Sequence, residues 1–339
     1  MSEPVVITEK EYNKGRASFD TVSGIEWVVT AKDEESVARA VRTSGARVAV
    51  LGVEIYAYAL YEALEENAKG KSALIARYGV GYDGINREEC KKRNIILAIT
   101  PGALDISVAE HTIALMLCIA KNIAFCDSEM RASRFTACRG FELSGKVLAI
   151  IGIGKIGRLV SRMASYGFGM KVLAYDVLSL DVLAGNEAIG LNEFLLRYGV
   201  ASYSNDYAEI VSKADIVSIH IPVLPSTLKF MNGDRISHLK KGALLINTSR
   251  GRLIDESALY DALSSNRLKG AAFDVFETEP YEPVDPGRDI RTLPNTVLTP
   301  HIASDTEEAN IRMQAIVLEN IDAFLHSSFD RIHAVRFKV

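Results

Sequence analysis

The sequence predicts an α/β protein built as two doubly wound parallel-sheet domains, and three observations carry that reading. At 339 residues the chain exceeds one ordinary compact domain. Short apolar runs alternate with helical patterns through both halves, the mark of parallel sheets covered by helices. One run, Val147-Leu148-Ala149-Ile150-Ile151, ends in glycines at G-x-G-x-x-G spacing, Gly152-Ile153-Gly154-Lys155-Ile156-Gly157, which reads as strand, tight turn and helix start.

Composition narrows the class. With 48% hydrophobic and 24% charged residues the chain is that of an average globular protein, and a formal charge of −4 leaves no basic footprint for nucleic acid. No uninterrupted apolar segment reaches the roughly 18 residues of a membrane span. The start Met1-Ser2-Glu3-Pro4 lacks the basic and apolar regions of a leader, so a cytoplasmic location is expected and a membrane is not. Cys90, Cys118, Cys126 and Cys138 form no C-x-x-C pair and no disulfide framework, and no histidines have metal-ligand spacing; no metal is expected.

In chain order, strand-like runs fall at Val5-Val6-Ile7, Ile25-Glu26-Trp27-Val28-Val29, Val48-Ala49-Val50-Leu51, Ala73-Leu74-Ile75-Ala76 and Ile95-Ile96-Leu97-Ala98. Helical patterns at residues 34–42 and 56–66 separate several of them. This first unit ends near Thr100-Pro101-Gly102, a natural break. Ser107-Val108-Ala109-Glu110 then has capping-box spacing before a long apolar helix through Ile113, Leu117, Ala120 and Ile123, expected to link two domains.

The glycine motif opens the second domain. Apolar residues at helical spacing follow in 158–166, and Lys171-Val172-Leu173-Ala174-Tyr175-Asp176 ends in an acid about 20 residues after the motif, where a ribose-binding carboxylate belongs. In such a turn the first glycine allows the bend, the second admits a pyrophosphate to bare backbone, and the third lets the helix pack close. A phosphate then sits on the helix N-terminus. Further strands are expected at 215–219, 243–246, 271–275 and 296–298, with the polar interval 186–206 as surface helix and turn. Ser304-Asp305-Thr306-Glu307 again has capping-box spacing and opens a helix to about Leu325. A short run, 334–339, closes the chain. If it packs back on the first unit, the domains are 1–103 with 304–339, and 104–303.

Arg250, Glu279 and His301 each follow the carboxyl end of an expected strand, where open parallel sheets bind ligands. Arg offers a fork matched to a carboxylate, His changes charge near neutrality, and a neighbouring Glu favours the imidazolium. Reduction of a 2-oxo acid needs that set: a cation for the carboxylate, an acid for the developing alkoxide, and a nicotinamide to deliver hydride.

Around these residues the chain closely resembles the D-isomer-specific 2-hydroxyacid dehydrogenases. The resemblance rests on the glycine motif with Asp176, on Ile246-Asn247-Thr248-Ser249-Arg250-Gly251, on Phe273-Asp274-Val275-Phe276-Glu277-Thr278-Glu279-Pro280 and on Thr299-Pro300-His301-Ile302-Ala303. It implies a Rossmann NAD-binding domain, a flavodoxin-like substrate domain, and Arg250, Glu279 and His301 as the catalytic set. It also implies NAD contacts from Gly152, Gly154, Lys155, Ile156, Gly157, Asp176, Ser107, the turn of His220 and Pro222, Thr248, and Asp274 as partner of the nicotinamide carboxamide. Arg77-Tyr78-Gly79-Val80 matches the family's substrate loop, its Gly79 and Val80 amides taking the substrate carboxylate. The family is usually dimeric through its nucleotide domain, so a homodimer is expected.

Within the family, Glu279 argues against formate dehydrogenases, and Ala103 and Leu104 against D-lactate dehydrogenases. Thr100-Pro101-Gly102-Ala103-Leu104 is similar to glyoxylate and hydroxypyruvate reductases, while Arg77 matches an Arg of the phosphoglycerate enzymes. Arg131, Arg134 and Arg139 are further cations that could hold a distal phosphate. His111, His238, His326 and His333 are expected to be surface or packing residues, and Tyr56, Tyr58 and Tyr61 helix packing. Two rival readings are an NADH-responsive corepressor scaffold of the same fold and an S-adenosylmethionine methyltransferase; the latter gives no reason for Arg250, Glu279 and His301 to share strand ends.

Overall fold

The structure, a computed structural model, describes residues 2–335. The chain divides into two compact units, one made of Met1–Leu104 with Asp305–Val339 and the other of Asp105–Ser304.

In the first unit five parallel strands, β1 (Glu3–Thr8), β2 (Ile25–Thr30), β3 (Val48–Leu51), β4 (Ala73–Arg77) and β5 (Ile95–Ala98), lie in the order β2-β1-β3-β4-β5. This is the flavodoxin-like doubly wound order. Every residue of β3 and β4 is buried. Covered on both faces, these strands read as continuous apolar runs with no alternation. The helix Glu34–Ser44 starts where the Asp33 side chain accepts the Ser36 amide and stops at Gly45, whose φ of 73° suits glycine.

The helix Glu307–Leu325 returns to this unit, but its cap is Thr306, whose hydroxyl accepts the Ala309 amide at 3.2 Å, and not Ser304. Thr is also a favoured cap, a little weaker than Ser. The intervening Asp305 is engaged elsewhere, by Lys14 at 3.1 Å and Asn310 at 2.9 Å. After the helix, Ala334 bridges Ala98 antiparallel and the Val335 amide donates to the Leu97 carbonyl, so the closing run starts along β5. Residues 336–339 of that run lie outside the described residues.

The second unit carries seven parallel strands: β6 (Val147–Ile151), β7 (Lys171–Tyr175), β8 (Val200–Ser204), β9 (Ile216–Ile219), β10 (Leu244–Asn247), β11 (Gly270–Phe273) and β12 (Thr296–Leu298). Their order is β12-β11-β10-β9-β6-β7-β8, a Rossmann arrangement whose direction reverses between β6 and β9. Ligands of such sheets bind at that reversal, and the glycine motif follows β6 directly.

Three expectations need correction. The first long helix is Asp105–Ala120, so Ser107 lies buried inside its first turn and not at its start. Asp105 at the start supplies the negative charge a helix N-terminus favours, and the helix begins ahead of Ser107. The helix also stops before Ile123: Asn122 adopts φ 55°, a conformation Asn tolerates, and a separate helix Ile123–Arg131 leaves at 64° to the first. The polar interval 186–206 holds, besides the helix Leu191–Tyr198, the strand β8, which pairs with β7 through a register irregularity. As the sheet edge, β8 is mostly half-buried, and its Val200-Ala201-Ser202-Tyr203-Ser204 carries no apolar run. No single helix among the described residues is long and apolar enough to cross a membrane.

Candidate active site

The glycine turn shows why three glycines are needed, each for a different reason. Gly152 has φ 94°, and a Cβ there would lie 2.7 Å from the His220 carbonyl oxygen at the end of β9. A Cβ on Gly157 would lie 2.1 Å from the Gly152 carbonyl oxygen, so the third glycine lets the helix close on the turn. Gly154 is different: its φ is −69°, and a Cβ would meet nothing within 4 Å. Its side is open, and no side chain caps the helix Lys155–Arg162 that begins there. A phosphate approaching the helix N-terminus would use that opening.

Asp176 follows β7 directly. One carboxylate oxygen accepts the Ile153 amide at 2.9 Å and the other the Leu178 amide at 3.1 Å, which fixes the acid beside the glycine turn. Val177 and Leu178 beside it are exposed and uncharged. The residues present therefore fit a dinucleotide: a turn open to pyrophosphate, an uncapped helix end and a fixed carboxylate for ribose hydroxyls. At the β9 end the His220 Nε2 and Ser218 Oγ are 2.8 Å apart, and burial lowers the imidazole to about 3, so the ring is neutral. Its Nδ1 is enclosed with no partner among the described residues, and Pro222 follows two residues on.

The same unit brings two of the strand-end residues together. His301 Nδ1 and a Glu279 carboxylate oxygen are 2.6 Å apart, both side chains about one-third exposed. Glu279's other oxygen accepts the Phe276 amide at 3.0 Å. Burial pushes the Glu279 carboxyl up, but the His301 hydrogen bond and charge, the Phe276 amide and the Arg250 charge outweigh it and leave it below the ordinary carboxylate range. An ionised carboxylate only accepts, so Nδ1 carries the hydrogen and Nε2 is the nitrogen left to give or take a proton. Arg250 is close enough to influence Glu279 by charge, and its Nη1 donates to the Ser249 carbonyl at 2.6 Å. The turn that carries it is tied by Asn247, a fully buried side chain that donates to the Arg250 carbonyl and accepts the Ser249 amide.

Asp274 lies under this arrangement and is fully buried. It accepts the Thr299 hydroxyl at 2.6 Å and the Ile302 and Ala303 amides at 2.9 and 2.8 Å. Those donors flank His301, which is held at φ 53°, a strained value for histidine. Burial raises the Asp274 carboxyl, yet His111, Thr299 and the two amides overcome it and keep it below its usual value. Asp274 thus anchors the turn that presents His301.

His111 is the residue that sequence reading placed wrongly as surface or packing. Its Nε2 lies 3.1 Å from Thr299 Oγ1 and 3.5 Å from Asp274, while its neighbour Thr112 meets Thr248 Oγ1 at 2.8 Å. One helix therefore braces the ends of β10 and β12. The available signal was a polar pair, His111 and Thr112, set directly before the apolar stretch 113–120 of the helix.

In the other unit, the turn after β4 is held from beneath. Arg77 is buried, its Nη1 donating to the Leu51 carbonyl at 2.8 Å and its Nε to the Gly81 carbonyl at 2.7 Å. The Tyr78 hydroxyl donates to Asn310 Oδ1 at 3.0 Å, and burial pushes the phenol up to about 12. Gly79 has φ 139°, and among the described residues neither its amide nor that of Val80 has a backbone acceptor. Tyr56 and Tyr61 are packed in this unit's core, whereas Tyr58 is half exposed. Among the other histidines, His238 and His326 meet backbone carbonyls of their own helices.

Residues 113–303 match the description of the D-isomer specific 2-hydroxyacid dehydrogenase NAD-binding domain. The chain belongs to that family. Over 263 residues it is 35% identical to a glyoxylate reductase of Korarchaeum cryptofilum, covering 76% of this chain and 74% of the relative. It is 32% identical over 323 residues to a D-3-phosphoglycerate dehydrogenase of Methanocaldococcus jannaschii, covering 95% of this chain but 57% of that longer protein. A D-lactate dehydrogenase of Aquifex aeolicus, solved with NAD and lactic acid, superposes with a TM-score of 0.79 at 26% identity, covering 99% of this chain and all of that one. As a member of the family the protein is an oxidoreductase that uses NAD to interconvert 2-hydroxy and 2-oxo acids. The relatives are reductases and dehydrogenases, which does not favour the corepressor alternative.

Proposed function

We propose that this enzyme reduces a small unphosphorylated 2-oxo acid, glyoxylate or hydroxypyruvate, with NADH, and that His301 supplies the proton. The carrying observation is the His301–Glu279 pair at 2.6 Å, in which a carboxylate fixed by the Phe276 amide orients the imidazole. Arg250 holds the substrate carboxylate and carbonyl as a planar cation. In the first unit, the Gly79 and Val80 amides after β4 are proposed to take a carboxylate, and Arg77 and Tyr78 support that turn.

When bound, NADH supplies the hydride that reaches C2. His301 gives its Nε2 proton to the oxygen as negative charge develops there, and Glu279 balances the imidazolium before transfer. In the oxidative direction the neutral imidazole takes the proton back. Lys155, Ile156, Ser107, Thr248 and Asp274 belong to the proposed cofactor surface with the glycines, Asp176, His220 and Pro222. Asp176, with no cation at Val177 or Leu178, favours NAD(H) over the 2′-phosphate form.

The absence of phosphate from the substrate is supported by what the candidate cations do. Arg77 is committed to two carbonyls, and Arg131 and Arg134 pair with Asp127 at 2.8 Å and Glu129 at 2.9 Å on their own segment. We place the enzyme in the cytoplasm as a homodimer. Ile123, Phe125, Met130 and Phe135 expose apolar surface on one short segment that a second copy would cover, and light scattering checks the mass. The test of function is NADH oxidation with glyoxylate, hydroxypyruvate, phosphohydroxypyruvate and pyruvate. The highest kcat/KM on glyoxylate or hydroxypyruvate supports the reading; a preference for phosphohydroxypyruvate transfers it to the phosphoglycerate branch.

A further inference from the structure

The segment that carries Glu279 is anchored by two successive amides. The Phe276 amide donates to Glu279 itself, and the next amide, of Glu277, donates to Glu256 Oε1 at 3.2 Å. Glu256 opens the helix Glu256–Ser264 and is 6% exposed. A buried carboxyl at the first position of a helix is costly unless it holds something. Here it holds the loop. The contact is reinforced on the other side by Gly251, where a Cβ would stand 1.8 Å from the Phe276 carbonyl carbon. Arg250 immediately precedes Gly251, so the segments bearing Arg250 and Glu279 are pressed together at one point, and Glu256 fixes the Glu279 side of it.

We propose that Glu256 is a positioning residue for the His301–Glu279 pair, acting through the Glu277 amide. The inference rests on the reading of that pair as the proton-transfer apparatus. Without an acceptor at position 256 the 276–279 turn loses one of its two side-chain anchors, and the Glu279 carboxylate no longer meets His301 Nδ1 at a single geometry. The groups facing Glu256 are Glu277, the Val284 amide, Lys229 and Tyr281; those facing the pair are Arg250 on Glu279 and Glu279 on His301. Burial first, and the Glu277 charge with it, raise the Glu256 carboxyl above its usual value. A protonated carboxyl or an amide oxygen accepts the same N–H, so the function belongs to the acceptor and not to the charge.

The test compares Glu256→Met, which keeps the length without the acceptor, with Glu256→Gln, which keeps the acceptor, and uses Glu279→Gln as the benchmark. Three readouts are taken: the pH profile of kcat for keto-acid reduction, the downfield Nδ1 proton resonance of His301 in protein free of NADH, and Tm. Glu256→Met is expected to lower kcat about 10- to 100-fold, the range for a slightly misplaced catalytic group. It should also move the high-pH limb in the same direction as Glu279→Gln and weaken the Nδ1 resonance. Glu256→Gln should restore limb and resonance. If Glu256→Met lowers Tm while limb and resonance stay as in the parent, Glu256 is merely structural and the proposal is overturned. Should Glu279→Gln itself leave the limb unmoved, the failure lies with the acid–base reading, and the resonance still reports separately whether Glu256 orders the pair. Glu256→Ala serves in the same role if the methionine variant does not fold.

Discussion

Placing a methyl group on each motif glycine in turn separates cofactor binding from folding. Gly154→Ala puts a Cβ where nothing lies within 4 Å, at φ −69°, which alanine adopts freely. Alanine is a poorer N-cap than glycine, but it removes about 0.4–1 kcal/mol of unfolded-state freedom, so the two effects nearly cancel. Gly152→Ala forces alanine to φ 94° at about 1–2 kcal/mol and presses on the His220 carbonyl at 2.7 Å. Gly157→Ala drives a Cβ to 2.1 Å from backbone and costs about 1–3 kcal/mol or more. Calorimetry should therefore show Tm for Gly154→Ala within about 2 °C of the parent, with Gly152→Ala and Gly157→Ala lower by about 4–10 °C. NADH titration by fluorescence should show Gly154→Ala weakened at least about tenfold, or 1.4 kcal/mol, because the methyl fills the space for the pyrophosphate. Parent-like NADH affinity in Gly154→Ala would refute the placement of the dinucleotide on this turn.

Asp176→Ala should narrow the preference for NADH over NADPH, read as the ratio of kcat/KM values; a parent that already prefers NADPH would contradict the ribose role. Glu279→Gln should lower kcat and alter the pH profile of keto-acid reduction, since it removes the carboxylate 2.6 Å from His301 Nδ1; an unchanged profile would remove Glu279 from the mechanism. Asp274→Asn should destabilise the protein by about 1–3 kcal/mol, because an amide turns one acceptor toward donors. The Asp274 carboxyl lies below its reference 3.8, so its contribution is present above that value and is lost as pH falls through the lower folded one; acid unfolding of the asparagine variant should be the flatter below about pH 4. Arg77→Ala should reduce hydroxypyruvate and phosphohydroxypyruvate turnover alike by loosening the 77–81 turn, whereas a loss confined to the phosphorylated substrate would make Arg77 a phosphate reader.

The fold was legible wherever burial dictates composition. β3 and β4, covered on both faces, show as uninterrupted apolar runs, and the glycine spacing marks the turn after β6. β8 was not legible, because an edge strand is specified by its pairing with β7 and not by its own residues. The helix expected to open at Ser107 begins ahead of it at Asp105, and the one expected to open at Ser304 begins after Thr306; several polar residues stand near each start and only the folded chain chooses among them. In the site, Arg250, Glu279 and His301 stood out by following strands, and the structure joins Glu279 to His301 directly. The supporting roles were invisible for a physical reason, even for Asp274, which the sequence marked only as a cofactor contact. Asn247, His111, Asp274 and Glu256 act by satisfying backbone amides, carbonyls and hydroxyls brought near only by the folded chain. A sequence shows their side chains but not what stands opposite.

The proton-donor role of His301 is tested most directly by a single turnover of NADH-loaded His301→Ala mixed with hydroxypyruvate, followed at the NADH absorbance. The account predicts NADH affinity close to that of the parent and a hydride-transfer rate lower by about 10² to 10⁴, the usual worth of a positioned proton donor. A transfer rate within a few-fold of the parent, at unchanged NADH affinity, would contradict it.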